Sequence, residues 1–136
     1  MSEGHKPINV AIIGAGERGV YVLGARAVEL REETGITIRV LCDTNEDRAA
    51  EAKRYLEGLY RESGAQVEID LEPDYGRAIA RNDVDTVFVT NYTADHRGPA
   101  VEALGAGKQV YLDKPMATTL EDAEAMIEAE EAAKRP

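Results

Sequence analysis

Three glycines, Gly14, Gly16 and Gly19, stand between a short β-branched run and a stretch with helical spacing. The run, Ile8 to Gly14, is apolar apart from Asn9 and reads as a buried strand. Behind the glycines, Val20, Leu23, Ala27 and Leu30 recur at intervals of three and four, which predicts one inward face of a helix over 17–31. Glu32, Glu33, Thr34 and Gly35 close it. A strand that turns through glycine straight into a helix has few places to go. The helix must cross back over the sheet, and the next strand then lies parallel to the first with a right-handed connection.

The rest of the chain repeats this alternation. Ile36 to Asp43 predicts a second strand, with Ile36, Ile38 and Val40 alternating. Thr44 and Asp47 have the spacing of a helix-capping pair, and Ala49, Ala52, Leu56 and Leu59 form the inward face of a helix reaching about Glu62. Gln66 to Leu71 predicts a weaker third strand, and Pro73 opens a short helix through Arg81. Val84 to Thr90 is the strongest later strand, followed by a polar loop and a helix from Pro99 to Ala106. A fifth strand, Gln109 to Asp113, stops at Pro115, which cannot continue a central ladder. Thr118 and Glu121 have capping-box spacing before a last helix with Leu120, Ala123 and Ile127 on its apolar face. The predicted class is α/β, an open, doubly wound, mostly parallel sheet. Residues 1–7 lack an apolar pattern and are expected to be a flexible N-terminal tail, with the domain over 8–136.

Composition narrows the function. The chain carries 16 Lys+Arg against 26 Asp+Glu, a formal net charge of −10. That balance disfavours nucleic acid, whose binders neutralise phosphates, and anionic membrane surfaces. No apolar run approaches a membrane span and the N-terminus lacks a signal-peptide pattern, so a cytoplasmic location is expected. A single cysteine, Cys42, allows no internal disulfide, and nothing resembles a zinc cluster.

Gly14-Ala15-Gly16-Glu17-Arg18-Gly19 is a G-x-G-x-x-G loop in its informative context: after a strand, before a helix, and trailed by Asp43 at the end of the next strand. Gly14 permits the tight turn, Gly16 the approach of a pyrophosphate, and Gly19 close helix–sheet packing. A helix N-terminus there supplies N–H groups and positive dipole for phosphate. Asp43 can accept the adenosine ribose hydroxyls and repels a 2′-phosphate, and no Arg directly follows it to hold a phosphate, which favours NAD over NADP, with Arg48 one helical turn on as the residue that speaks for NADP. Lys114-Pro115 ends a parallel strand on the ligand side of the sheet, where a lysine can hydrogen-bond a substrate hydroxyl and stabilise alkoxide charge.

Taken with His96, Ala103-Leu104, Ala106-Gly107-Lys108 and Asp113-Lys114-Pro115 in register, these motifs resemble the N-terminal domain of the Gfo/Idh/MocA oxidoreductase family. The resemblance covers about residues 8–134. It implies that the glycine loop holds the pyrophosphate and Asp43 the ribose. Lys114 matches the family lysine near the nicotinamide and the substrate hydroxyl. Asn91, Tyr92, His96 and Asp113 match positions around the cofactor. Two departures stand out. Asp113 replaces the usual Glu, and Asn91-Tyr92-Thr93 stands where Thr-Pro-Asn is common.

The same resemblance implies a parent enzyme that passes hydride between nicotinamide and a sugar, polyol or related hydroxyl compound, with Lys114 assisting the hydroxyl proton. Family members continue into a second α/β domain, so the expectation is a cofactor-binding fragment without turnover of its own. A non-catalytic nucleotide-binding or sensor module is the alternative, and a relative that uses NAD transiently in glycoside cleavage is a third reading. Gln109–Asp113 is expected near a sheet edge with Val110 and Leu112 available to a second chain, which predicts a homo-oligomer.

Overall fold

The computed structural model describes residues 6–133, so most of the expected N-terminal tail, residues 1–5, lies outside the described residues. Five strands form one parallel sheet in the order β3-β2-β1-β4-β5. They are β1 (Ile8–Ile13), β2 (Ile36–Cys42), β3 (Asp70–Leu71), β4 (Thr86–Val89) and β5 (Gln109–Leu112). A widened helical stretch, Glu17–Gly24, runs into α1 (Ala25–Glu29), and a short α2 (Arg31–Thr34) follows. The remaining helices are α3 (Glu46–Glu62), α4 (Tyr75–Ala80), α5 (Arg97–Gly105) and α6 (Leu120–Ala133). The chain moves outward from β1 to β3, then returns to place β4 on the other side of β1. That reversal opens a crevice at the C-terminal ends of β1 and β4.

β1 is buried on both faces, and its alternation divides the core. Val10 and Ile12 pack with Val20, Ile38, Leu56 and Tyr60 on one side. Ala11 and Ile13 pack with Val40, Ile79, Val87 and Ala103 on the other. Ile38 and Val40 therefore face opposite sides, although simple alternation predicts one. The cause is a register shift: Val10 pairs with Ile38 but Ala11 pairs with Val40, leaving Arg39 as an extra residue. The Ile38 N–H donates to the buried Tyr60 hydroxyl at 2.9 Å, and Arg39 Nε donates to Asn9 Oδ1 at 3.1 Å.

Other expectations shift for equally local reasons. The first helix is wide because Ala25 N–H reaches back five residues to Val20 O. This turns Gly19, Val20 and Gly24 inward and leaves Leu23 half-buried. A Cβ on Gly24 would lie 3.2 Å from Gly19 O and 3.3 Å from Leu56 Cδ2. β3 keeps only two of its six expected residues, because α3 takes the preceding backbone: Ile69 N–H donates to Glu57 Oε2 and Lys53 Nζ donates to Ile69 O.

Both expected helix caps move one residue later. Asn45, not Thr44, caps α3 through Arg48 N–H, because Asp43 Oδ1 first accepts from Asn45 N–H in a local turn. Thr119, not Thr118, accepts from Asp122 N–H at α6. On α3, Tyr60 rather than Leu59 completes the buried face. On α6, Met126 is the buried residue while Leu120 and Ile127 are 74% and 48% exposed. Arg97 of α5 donates to Asp122, which turns the Asp122–Met126 side of α6 toward α5.

Candidate dinucleotide site

Gly14 ends β1 in a conformation that side chains disfavour, φ +95°. Its N–H donates to Cys42 O at 2.8 Å, and a Cβ there would lie 2.6 Å from the Asn91 backbone. Gly19 is excluded from bearing a side chain by packing alone: its Cβ would overlap Thr90 Oγ1 and lie 2.7 Å from Gly14 O. The Thr90 hydroxyl is 3.0 Å from both Ile13 O and Gly14 O, so it pins the loop from β4. Gly16 differs from both. Its backbone is ordinary and extended, φ −95° and ψ −163°, and a Cβ on it would meet nothing within 4 Å. It opens the helix with no side-chain cap.

Asp43 follows β2 and points its carboxylate at this loop. Oδ2 accepts from Ala15 N–H at 2.9 Å and from Arg48 Nε at 2.8 Å. Oδ1 accepts from Asn45 N–H and Arg48 Nη2, each at 2.8 Å. Burial pushes the carboxyl up, but the hydrogen bonds from Arg48, Asn45 and Ala15 outweigh it and hold Asp43 below the usual carboxylate range. Beside it, burial first and the neighbouring Asp43, Glu72 and Asp74 charges second push the Cys42 thiol up to about 12. Its Sγ lies 3.5 Å from Pro73 O.

The opposite wall follows β4 and β5. Asn91 Nδ2 donates to Asp95 O at 3.1 Å, and its Oδ1 is buried with no partner among the described residues. Tyr92 is 74% exposed. His96 is buried, with Nε2 3.0 Å from Asn91 O and Nδ1 3.1 Å from Met116 O. Its ring thus joins the loop after β4 to the loop carrying Lys114. Asp113 accepts from Arg18 Nε at 3.2 Å, joining the glycine loop to the end of β5.

These elements enclose a cleft of about 420 Å³ at the C-terminal ends of the strands. Gly14, Gly16, Glu17, Arg18, Asp43, Asn91 and Tyr92 line it. Residues 8–136 match the family described as "Oxidoreductase family, NAD-binding Rossmann fold". The chain belongs to the Gfo/Idh/MocA oxidoreductase family. It is 33% identical over 125 residues to inositol 2-dehydrogenase 3 of Saccharopolyspora erythraea, covering 92% of this chain and 33% of that protein. It is 31% identical over 126 residues to an alpha-N-acetylgalactosaminidase of Bacteroides fragilis, covering 91% of this chain and 28% of that protein. The fold matches the WlbA dehydrogenase of Bordetella pertussis, solved with NADH and UDP-GlcNAcA, with TM-score 0.69 and 26% identity over 95% of this chain and 35% of that one. The chain therefore spans about a third of the length of these relatives.

In this Gfo/Idh/MocA domain, the other sequence-predicted residues lie behind or beside the cleft. Ala15 touches it through Asp43. Gly19 and His96 are buried supports. Asp113 is held by Arg18, and Lys114 is exposed just past β5 without lining the cleft. Thr90, Pro73 and Tyr75 also line it and were not singled out from the sequence. Thr90 had a readable signal, since it follows β4 as Asp43 follows β2. Pro73 and Tyr75 had none, because only the sheet order brings the loop after β3 to this end. Among the described residues, no helix is long and apolar enough to cross a membrane.

Proposed function

We propose that this domain binds NAD(H) for a dehydrogenase acting on a hydroxyl of a sugar, polyol or related compound. Gly16 carries the reading. Neither its backbone conformation nor its packing asks for glycine, so the missing side chain is best accounted for by a ligand that passes over the loop. A pyrophosphate fits there, above the uncapped helix N-terminus. Asp43 faces the adenosine ribose, and Asn91 and Tyr92 border the nicotinamide half. The nicotinamide, when bound, supplies hydride acceptance and return. Lys114 Nζ takes and returns the proton of the substrate hydroxyl. The names of the inositol and nucleotide-sugar relatives support a polyhydroxylated substrate.

Because the chain spans only about a third of such relatives, we place substrate orientation, and hence turnover, outside it. NADH titration by calorimetry tests the binding reading. The expected result is measurable, weak affinity, and a folded sample that binds neither NADH nor NADPH at millimolar concentration overturns it. In a full-length parent enzyme, Lys114→Ala is expected to lower kcat sharply with little change in NAD affinity.

A second reading has support in the relatives named as an alpha-N-acetylgalactosaminidase and as glycosyl hydrolase family 109 proteins, at similar identity. The parent would then cleave a glycoside, using the same cofactor domain. Product analysis decides: free sugar released without net reduction of NAD favours cleavage, and stoichiometric NADH favours the dehydrogenase.

A further inference from the structure

Lys114 stands on a stretch with no regular structure. The residues from Asp113 to Thr119 join β5 to α6 without helix or strand, and Lys114 is exposed among them. Its place is therefore set by what ties down its neighbours. Behind it, Asp113 N–H continues the sheet ladder to Val89 O, and Ala117 packs on the core. Two side chains then hold the segment from two sides of the crevice. Arg18 Nε, on the glycine loop, donates to Asp113 Oδ1 at 3.2 Å. His96 Nδ1, after β4, lies 3.1 Å from Met116 O. Lys114 falls between these two ties.

The ties differ in what a ligand can do to them. His96 is 1% exposed and does not line the cleft, so it holds Met116 whether or not the cleft is filled. Arg18 lines the cleft. Its side chain is 49% exposed, against 16% for Asp113. It stands in the first turn of the helix that opens at Gly16, beside the place given above to the pyrophosphate. Glu17 and Asp95 also line the cleft, and both are exposed. As carboxylates they oppose an incoming phosphate, which leaves Arg18 as the charged group beside the glycine loop that can receive one. Its ion-pair partner among the described residues is Asp113, and the Tyr111 hydroxyl lies against the same guanidinium. Asp113 takes the donor on Nε. A guanidinium has further N–H donors on its two Nη atoms, so it can meet a phosphate while the pair with Asp113 stays closed.

We propose that Arg18 is a positioning residue for Lys114: held between the cofactor's pyrophosphate and Asp113, it passes the filling of the glycine loop on to the Lys114 segment. The lysine is then fixed once the cofactor is in place, and a substrate hydroxyl meets it only after that. The proposal rests on the dinucleotide reading above and adds to it a coupling between the cofactor's phosphates and the proton-handling group.

The test is hydrogen exchange of peptides covering 14–24 and 113–119, with and without saturating NADH, on this chain and on Arg18→Met, Arg18→Lys and Asp113→Asn. In the wild type, NADH is expected to slow exchange in both peptides, by about threefold or more at 113–119. Arg18→Met keeps the apolar stem and loses the charge. Saturated with NADH, it should still slow at 14–24 but not at 113–119. Arg18→Lys should recover part of the response. Asp113→Asn is expected to lose the response at 113–119 as well, although Asp113 does not line the cleft, a loss that a plain phosphate contact at Arg18 would not produce. Wild-type slowing at 113–119 in a saturated, folded Arg18→Met overturns the proposal, and so does a normal response in Asp113→Asn, which decides alone if Arg18→Met does not fold. A wild type that binds NADH without slowing at 113–119 overturns the proposal and leaves the dinucleotide reading standing. A wild type that binds no NADH fails that reading, and the proposal with it.

Discussion

Ala15 N–H donates to Asp43 Oδ2 at 2.9 Å, across 28 residues of sequence. The contact joins the glycine loop after β1 to the end of β2, so one carboxylate both shapes the loop and lines the cleft. A change at Asp43 therefore acts on stability and on binding together.

The pH dependence of stability follows from this. Burial raises the Asp43 carboxyl and its donors more than reverse that, leaving it more acidic in the fold than in the unfolded chain. Asp83, held down first by its hydrogen bonds to Arg81, adds in the same direction. The unfolded chain then binds more protons in acid, and stability is fully present above the unfolded carboxylate value, near pH 4, and is lost as pH falls through the lower folded values. Urea unfolding between pH 6 and pH 3 should show this decline. Asp43→Asn should flatten part of it and cost about 2 kcal/mol near neutrality. An equally steep profile in the variant would remove Asp43 as a source.

The glycines should separate stability from binding. Gly19→Ala forces a Cβ into Thr90 and Gly14 O and should destabilise the fold by about 3 kcal/mol. Gly16→Ala meets nothing in the protein and should melt like the wild type while weakening NADH roughly tenfold or more. Thermal melts and calorimetric titrations of the two variants check this, and an equal effect on melting would contradict the assignment.

Cys42 should be chemically quiet. It is buried, and its thiol is pushed up to about 12, so the nucleophilic thiolate is scarce at pH 8. Iodoacetamide is expected to label it slowly in the native protein and readily in denaturant. Fast native labelling would show that the end of β2 opens.

His96 should matter to both loops it joins. His96→Ala removes a buried ring whose two nitrogens lie 3.0 and 3.1 Å from the carbonyls of Asn91 and Met116, which should cost about 2 kcal/mol. Hydrogen exchange should then rise around 91–96 and 114–118 together. A rise at only one of these loops would mean that the ring does not couple them.

Self-association is expected through the β5 side. Gln109 and Tyr111 are exposed on this edge strand, whereas the expected Val110 and Leu112 are partly buried against the core, and Leu120 and Ile127 lie uncovered on α6. An edge with open N–H and C=O groups is a template for pairing. Light scattering during size-exclusion chromatography at high micromolar concentration should show a dimer, and a clean monomer in low and high salt would contradict it.

The sequence by itself determined the α/β class, the parallel sheet, the glycine loop and the acidic residue after the second strand. These are written in local terms: β-branched runs, three- and four-residue spacing, and the spacing of three glycines between a strand and a helix. Tertiary structure decided what local spacing cannot carry. Arg39 becomes an extra residue only because β1 and β2 pair out of step, which sends Ile38 and Val40 to opposite faces. β3 is short because Glu57 and Lys53 reach the Ile69 backbone from α3. Met126 replaces Leu120 and Ile127 inside because α5 meets α6 through Arg97 and Asp122. Arg48 lies five residues from Asp43 in a chain read for strands and helices, but its closing over that carboxylate depends on where α3 begins. That start is set by the local turn in which Asp43 Oδ1 accepts from Asn45 N–H, and the carboxylate itself is held in place by Ala15 N–H, 28 residues away, a contact that exists only once β1 and β2 lie side by side.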